Sequence, residues 1–167
     1  MRRPEPPPLP MRLLGIDPGT RAAGWSVIEA KGPTLRLVNC GVFKPSPKLP
    51  LHHRLVQIFA GYEQLIGLHR PVAGAVEETF AGNNPKSAIA MGEGRGVALL
   101  ALARAGIQVR ELSPAEIKKA VTGSGAATKD LVARMVCARL NLKEVPKPED
   151  VTDAIAVAIA LAHRWPR

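Results

Sequence analysis

Three strand-like runs open this chain, Arg12–Asp17, Gly24–Ala30 and Leu35–Phe43, and the links between them are too short to carry a helix. Nothing else in the sequence restricts the fold as much. Turns containing Gly or Pro separate the runs, and strands joined this closely pair as an antiparallel meander, because a parallel neighbour needs a crossover of about a dozen residues or more. The pattern then changes period. From Leu51 to Leu68 the residues Leu51, Leu55, Ile58, Phe59, Tyr62, Leu65 and Ile66 recur at three- and four-residue steps, which predicts a helix. Val72–Glu78 reads as a buried strand, Ser87–Ala105 as an Ala- and Gly-rich helix, and Gln108–Leu112 as a fifth strand. Ser113-Pro114 caps the next helix, with proline at its first position. Lys129–Leu140 and Val151–Trp165 supply the last two helices.

The expected order is therefore β-β-β-α-β-α-β-α-α-α. Helices after the third and fourth strands act as crossovers, so part of the sheet should be parallel and covered on both faces. The expected class is α/β, a five-stranded mixed sheet flanked by helices, and its three leading antiparallel strands resemble the ribonuclease H-like fold. A chain of 167 residues and 17.8 kDa fits one domain, large enough to bury about 70% of its unfolded surface. The segment 1–10, MRRPEPPPLP, is half proline and reads as a disordered tail ahead of a folded part, 11–167. Proline follows Arg2 and Arg3 where a secretory signal would have an apolar core, and no apolar run approaches the ~18 residues of a membrane span. Cys40 and Cys137 lack CxxC spacing and read as reduced, buried thiols. Together these features point to the cytoplasm, with no membrane association.

Four carboxylates stand where apolar runs stop. Asp17 closes Leu13-Leu14-Gly15-Ile16 and enters the turn Pro18-Gly19-Thr20; Glu77, with Glu78 beside it, ends Val72–Val76; Asp150 and Asp153 open the last apolar stretch. Each also has an ordinary structural reading. Asp-Pro-Gly is a common turn, a similar Asp-x-Gly-Thr hairpin serves actin-like ATPases, and acids at a helix start complement its dipole. Neither reading explains why all four sit at element ends. Converging acids are costly: two carboxylates about 4 Å apart repel by roughly 4 kcal/mol at an effective dielectric near 20, and a divalent metal is the simplest compensation. In a chain of net charge +9 and pI ≈ 10.2, which favours a polyanionic partner, acids around a metal point to a nuclease. Hard cations prefer carboxylate oxygen, so Mg²⁺ or Mn²⁺ is expected. His52, His53, His69 and His163 show no zinc-ligand spacing and read as surface or helix-end residues.

GIDPGT near the start, VEETF in the middle and EDVTDAIAVAIA at the end, with SAIAMGEGRGV and SPAEIKKAVTGSGAATKDLV between them, resemble the RuvC family of Holliday-junction resolvases. The resemblance spans Leu13 to about His163. It implies a structure-selective endonuclease for four-way DNA junctions in recombination and DNA repair, with Asp17, Glu77, Asp150 and Asp153 as the catalytic metal ligands. Two ions per site are expected, with Asp17 bridging them. Glu78 follows Glu77 where related sequences often have an uncharged residue. In a strand the two face opposite ways, so only one can join Asp17, and the resemblance favours Glu77. The same resemblance makes Phe80 the aromatic that stacks on an unpaired base at the junction centre. It makes Lys118 and Lys129 phosphate contacts, with Lys119 an alternative to Lys118. It further implies a homodimer, in which Ser87–Ala105 is a candidate surface, and a branch-migration helicase complex of the RuvA-RuvB type as partner. Two rivals stay open at this point: a ribosomal-RNA-processing nuclease of the YqgF type, and a catalytically silent junction-binding module.

Overall fold

The computed structural model describes residues 10–78 and 85–165. Three antiparallel strands lead: β1 (Met11–Asp17), β2 (Ala23–Lys31) and β3 (Thr34–Phe43). Helix α1 (Leu51–His69) carries the chain to β4 (Ala73–Glu77), which lies parallel to β1. Helix α2 (Pro85–Arg104) leads to β5 (Gln108–Leu112), parallel to β4. Three helices complete the fold: α3 (Pro114–Thr122), α4 (Lys129–Leu140) and α5 (Glu149–Arg164). The sheet runs β3-β2-β1-β4-β5, so β1 is central. The predicted order holds throughout, and the boundaries move by a few residues. The clearest shift is at β4, which ends at Glu77 and leaves Glu78 outside the strand.

Strand alternation sorts the core into two layers. Leu13, Ala73 and Ala75 pack with Ile117 of α3, Val132 of α4 and Ile155 of α5 on one face. Leu14, Ile16 and Val76 pack with Ile58 and Tyr62 of α1 and Leu102 of α2 on the other. Helix α5 is almost wholly buried from Val151 to Ala162, which makes it the spine of its layer. Two glycines let it approach the sheet closely. A Cβ on Gly15 would stand 2.3 Å from the Ala154 carbonyl oxygen, and one on Gly24 only 2.0 Å from that of Asp150. The Ser26 hydroxyl donates to the Ala154 carbonyl across 2.9 Å.

Local signals set the other helices on this face. Ser113 caps α3 in a reciprocal box with Glu116, and Thr128 accepts from Leu131 N–H at the start of α4. Thr152 Oγ1 donates to the Pro146 carbonyl at 2.7 Å and ties the preceding loop to α5. No helix among the described residues is long and apolar enough to cross a membrane. Both cysteines are free and half-buried, somewhat more open than the sequence suggested. The tail, apart from Pro10, lies outside the described residues.

Candidate active site

Ile16 and Val76 are the last paired residues of the parallel strands β1 and β4, so Asp17 and Glu77 follow side by side on strands spaced ~4.8 Å apart. Both share the parity of Leu13, Ala73 and Ala75 and therefore face α5. Asp150 and Asp153 descend from the first turns of α5 onto the same place. All four line one cavity of about 400 Å³ beyond the carboxyl ends of the parallel strands, where open α/β sheets commonly bind ligands. Lys118 of α3, Lys129 of α4 and Glu149 of α5 line it as well; Glu78 and Lys119 do not. Glu78 instead donates its backbone N–H to the Leu112 carbonyl at 2.8 Å.

These acids repel one another. Burial, then Glu77, Asp153 and Asp150, push the Asp17 carboxyl up to about 8, with only Lys129 pulling it down. Burial and then Asp153 raise Glu77, against the pull of Lys129 and Lys118. Asp153 is raised by burial, an effect that Lys129 opposes and that Glu149 and Asp150 reinforce. The field of Asp17 also reaches the opposite layer, where burial first and Asp17 second raise the Tyr62 phenol. That hydroxyl has no hydrogen-bond partner among the described residues.

Lys129 is the cation already at work here. It hydrogen-bonds Glu149 and stands 3.7 Å from Asp153; the hydrogen bond to Glu149 is the main cause raising its own pKa. The lining holds five acids (Asp17, Glu77, Glu149, Asp150, Asp153) against two lysines (Lys118, Lys129). This pocket of excess negative charge sits in a chain of net charge +9. Among the described residues no three His, Cys, Asp or Glu side chains are arranged as a ready metal cage. The donor chemistry nonetheless fits hard divalent cations: all oxygen, half-buried, mutually repelling and short of positive charge. The carboxylates line a shared space, and a cation there would offset their repulsion.

Some neighbours of the site were not legible beforehand. Glu149 reads in sequence as a solvated companion of Asp150, whereas its carboxylate holds Lys129. Arg54 reaches from α1 to donate to the Thr20 carbonyl at 3.1 Å, bracing the turn after Asp17; its spacing carries no signal of this. His69 ends α1 as expected but is buried, its ring 3.3 Å from the Asn39 amide nitrogen. Phe80 lies outside the described residues.

Comparison with known proteins identifies the family. Residues 13–163 match the family model described as crossover junction endodeoxyribonuclease RuvC. A protein of that name from Chloroflexus aggregans is 46% identical over 156 residues, covering 93% of this chain and 95% of its own. One from Dehalococcoides mccartyi is 47% identical over 149 residues, covering 89% and 90%. Among solved structures, Thermus thermophilus RuvC in complex with Holliday junction substrate superposes with a TM-score of 0.86 at 38% identity, covering 91% of this chain and 93% of that one.

Proposed function

The chain belongs to the RuvC family of crossover junction endodeoxyribonucleases, and we propose that Asp17, Glu77, Asp150 and Asp153 are the metal ligands with which it cuts. It is a ribonuclease H-like nuclease that resolves four-way DNA junctions in recombination and repair. The observation that carries the site assignment is the meeting of strand-end acids and helix-start acids in one cavity.

Held by these four carboxylates, two Mg²⁺ or Mn²⁺ ions would supply the means to activate a water and to stabilise the leaving 3′-oxygen of a phosphodiester. The protein's own groups do the rest. Asp17, on the central strand and repelled from three sides, is the carboxylate that gains most from shared coordination. Lys118 and Lys129 offset part of the acids' charge at Glu77 and supply ammonium groups for the scissile phosphate. Lys129 is held by Glu149 until that phosphate arrives. Phe80 stacks on an unpaired base at the junction centre, a contact of roughly 1–3 kcal/mol. Lys119, the alternative to Lys118 for the phosphate contact, lies outside the cavity lining, which favours Lys118. Residues 11–167 form the nuclease domain, preceded by a Pro-rich tail.

Resolution needs two cuts on strands of like polarity, so the working form is a two-fold homodimer with one complete four-acid site per subunit. Its setting is the cytoplasm, and its helicase partner a branch-migration complex of the RuvA-RuvB type. Incubation with a synthetic four-way junction and Mg²⁺ tests the proposal. Symmetric paired nicks are expected, and Asp17→Asn, Glu77→Gln, Asp150→Asn and Asp153→Asn should each bind the junction without cutting it. Binding by the unaltered chain without any divalent-dependent nicking would leave only the silent-module reading, and full activity in any of the four variants would remove that residue from the site.

A further inference from the structure

We propose that Gly24 and Gly15, together with Ser26, are positioning residues that set how deep α5 sinks onto the sheet and thereby how closely Asp150 and Asp153 approach Asp17. The inference rests on the metal-ligand reading above. Gly24 is the strand partner of Asp17, and Gly15 that of Ser26, so the three form one patch on the face covered by α5. Over this patch the nearest contacts are to the backbone of the helix. A Cβ on Gly24 would lie 2.0 Å from the Asp150 carbonyl oxygen and 2.6 Å from its carbonyl carbon. A Cβ on Gly15 would lie 2.3 Å from the Ala154 oxygen and 2.4 Å from the Ala158 nitrogen. No rotamer change relieves overlap with helix backbone, so either methyl group must lift or tilt α5. Ser26 works in the opposite direction, its buried hydroxyl drawing the Ala154 carbonyl down. Because Asp150 itself meets Gly24, the first turn of α5 takes the displacement directly.

Full-length variants and Mn²⁺ as the probe test this. Gly24→Ala should weaken Mn²⁺ binding, measured by calorimetry without DNA, by roughly tenfold or more, as loss of a supporting contact to metal ligands does. Half-maximal nicking should move to higher Mn²⁺ by the same factor, while junction affinity in chelator stays at the wild-type value. Ser26→Ala removes one hydrogen bond without adding a clash, keeps the fold, and should weaken Mn²⁺ binding by a smaller factor, roughly threefold. Gly61→Ala is the control. Its methyl would lie 2.7 Å from the Phe43 ring, in the layer opposite α5, so whatever it does to stability it leaves Mn²⁺ affinity alone. Wild-type Mn²⁺ affinity in Ser26→Ala, or in a folded Gly24→Ala, overturns the proposal, as does an equal loss in Gly61→Ala. Asp150→Asn in the same series separates the two levels. If it binds Mn²⁺ and cuts normally, the ligand assignment itself fails; if it is inactive beside a wild-type-like Gly24→Ala, only the seat is wrong.

Discussion

Asp17→Asn should make the metal-free protein more stable, and the gain should depend on pH in a defined way. In the fold the Asp17 carboxyl is pushed from 3.8 up to about 8 by burial and by Glu77, Asp153 and Asp150. The folded pKa is raised, so the sign is fixed. Below about pH 4 folded and unfolded chains both carry the proton and the fold bears no penalty. Between about pH 4 and 8 the unfolded chain releases it first, and stability falls by up to about 1.4 kcal/mol per pH unit. At pH 7 that reaches a ceiling of about 4 kcal/mol. Water entering the open cavity and relaxation of the neighbouring acids reduce it, and we expect about 2 kcal/mol to be realised. For a chain of this size the variant should then melt roughly 4–8 °C above wild type in chelator near pH 8. Near pH 4 the two should melt together. Added Mg²⁺ should raise the wild-type melting temperature and hardly move that of the variant, because a ligand stabilises only the form that binds it. Thermal denaturation by circular dichroism across this pH range is sufficient. A variant that gains nothing near pH 8, or gains as much near pH 4, refutes the claim that repulsion at Asp17 opposes folding.

Two further outcomes follow from the way the side chains face. Glu78→Gln should retain most nicking activity while Glu77→Gln loses it, since Glu77 lines the cavity and Glu78 lies beyond the strand end; a dead Glu78→Gln beside an active Glu77→Gln would reverse the assignment. Junction affinity should fall steeply with salt, and Lys118→Ala and Lys129→Ala should each lower the log–log slope by roughly one unit. An unchanged slope for either lysine would leave it without a phosphate.

The sequence carried most of the architecture because its signals were local. Short turns set the β1–β3 meander, the change of period at Leu51 announced α1, and Ser113 capped α3 as side-chain chemistry requires. The acids were visible because each interrupts an apolar run. Less legible was whatever depends on one element meeting another. Lys118 and Lys119 are equivalent in sequence, and only the packing of Ile117 and Val121 into the core turns Lys118 towards the acids. Glu149 and Asp150 are adjacent acids at one helix start, yet Glu149 holds Lys129 across 20 residues of sequence. Gly15 and Gly24 look like ordinary strand glycines until α5 is laid against them. Arg54 gives no hint in sequence that it will brace the turn beyond Asp17.

In the proposed site the four acids of one subunit hold the divalent ions used for cutting. Mn²⁺ titrated onto the protein–junction complex, with bound ions counted per chain, tests it most directly. Two ions per chain are expected for the wild type, with loss of that binding in Asp17→Asn and Asp153→Asn while the junction stays bound. An unchanged ion count in those variants, or nicking at full rate with every divalent ion chelated, would contradict it.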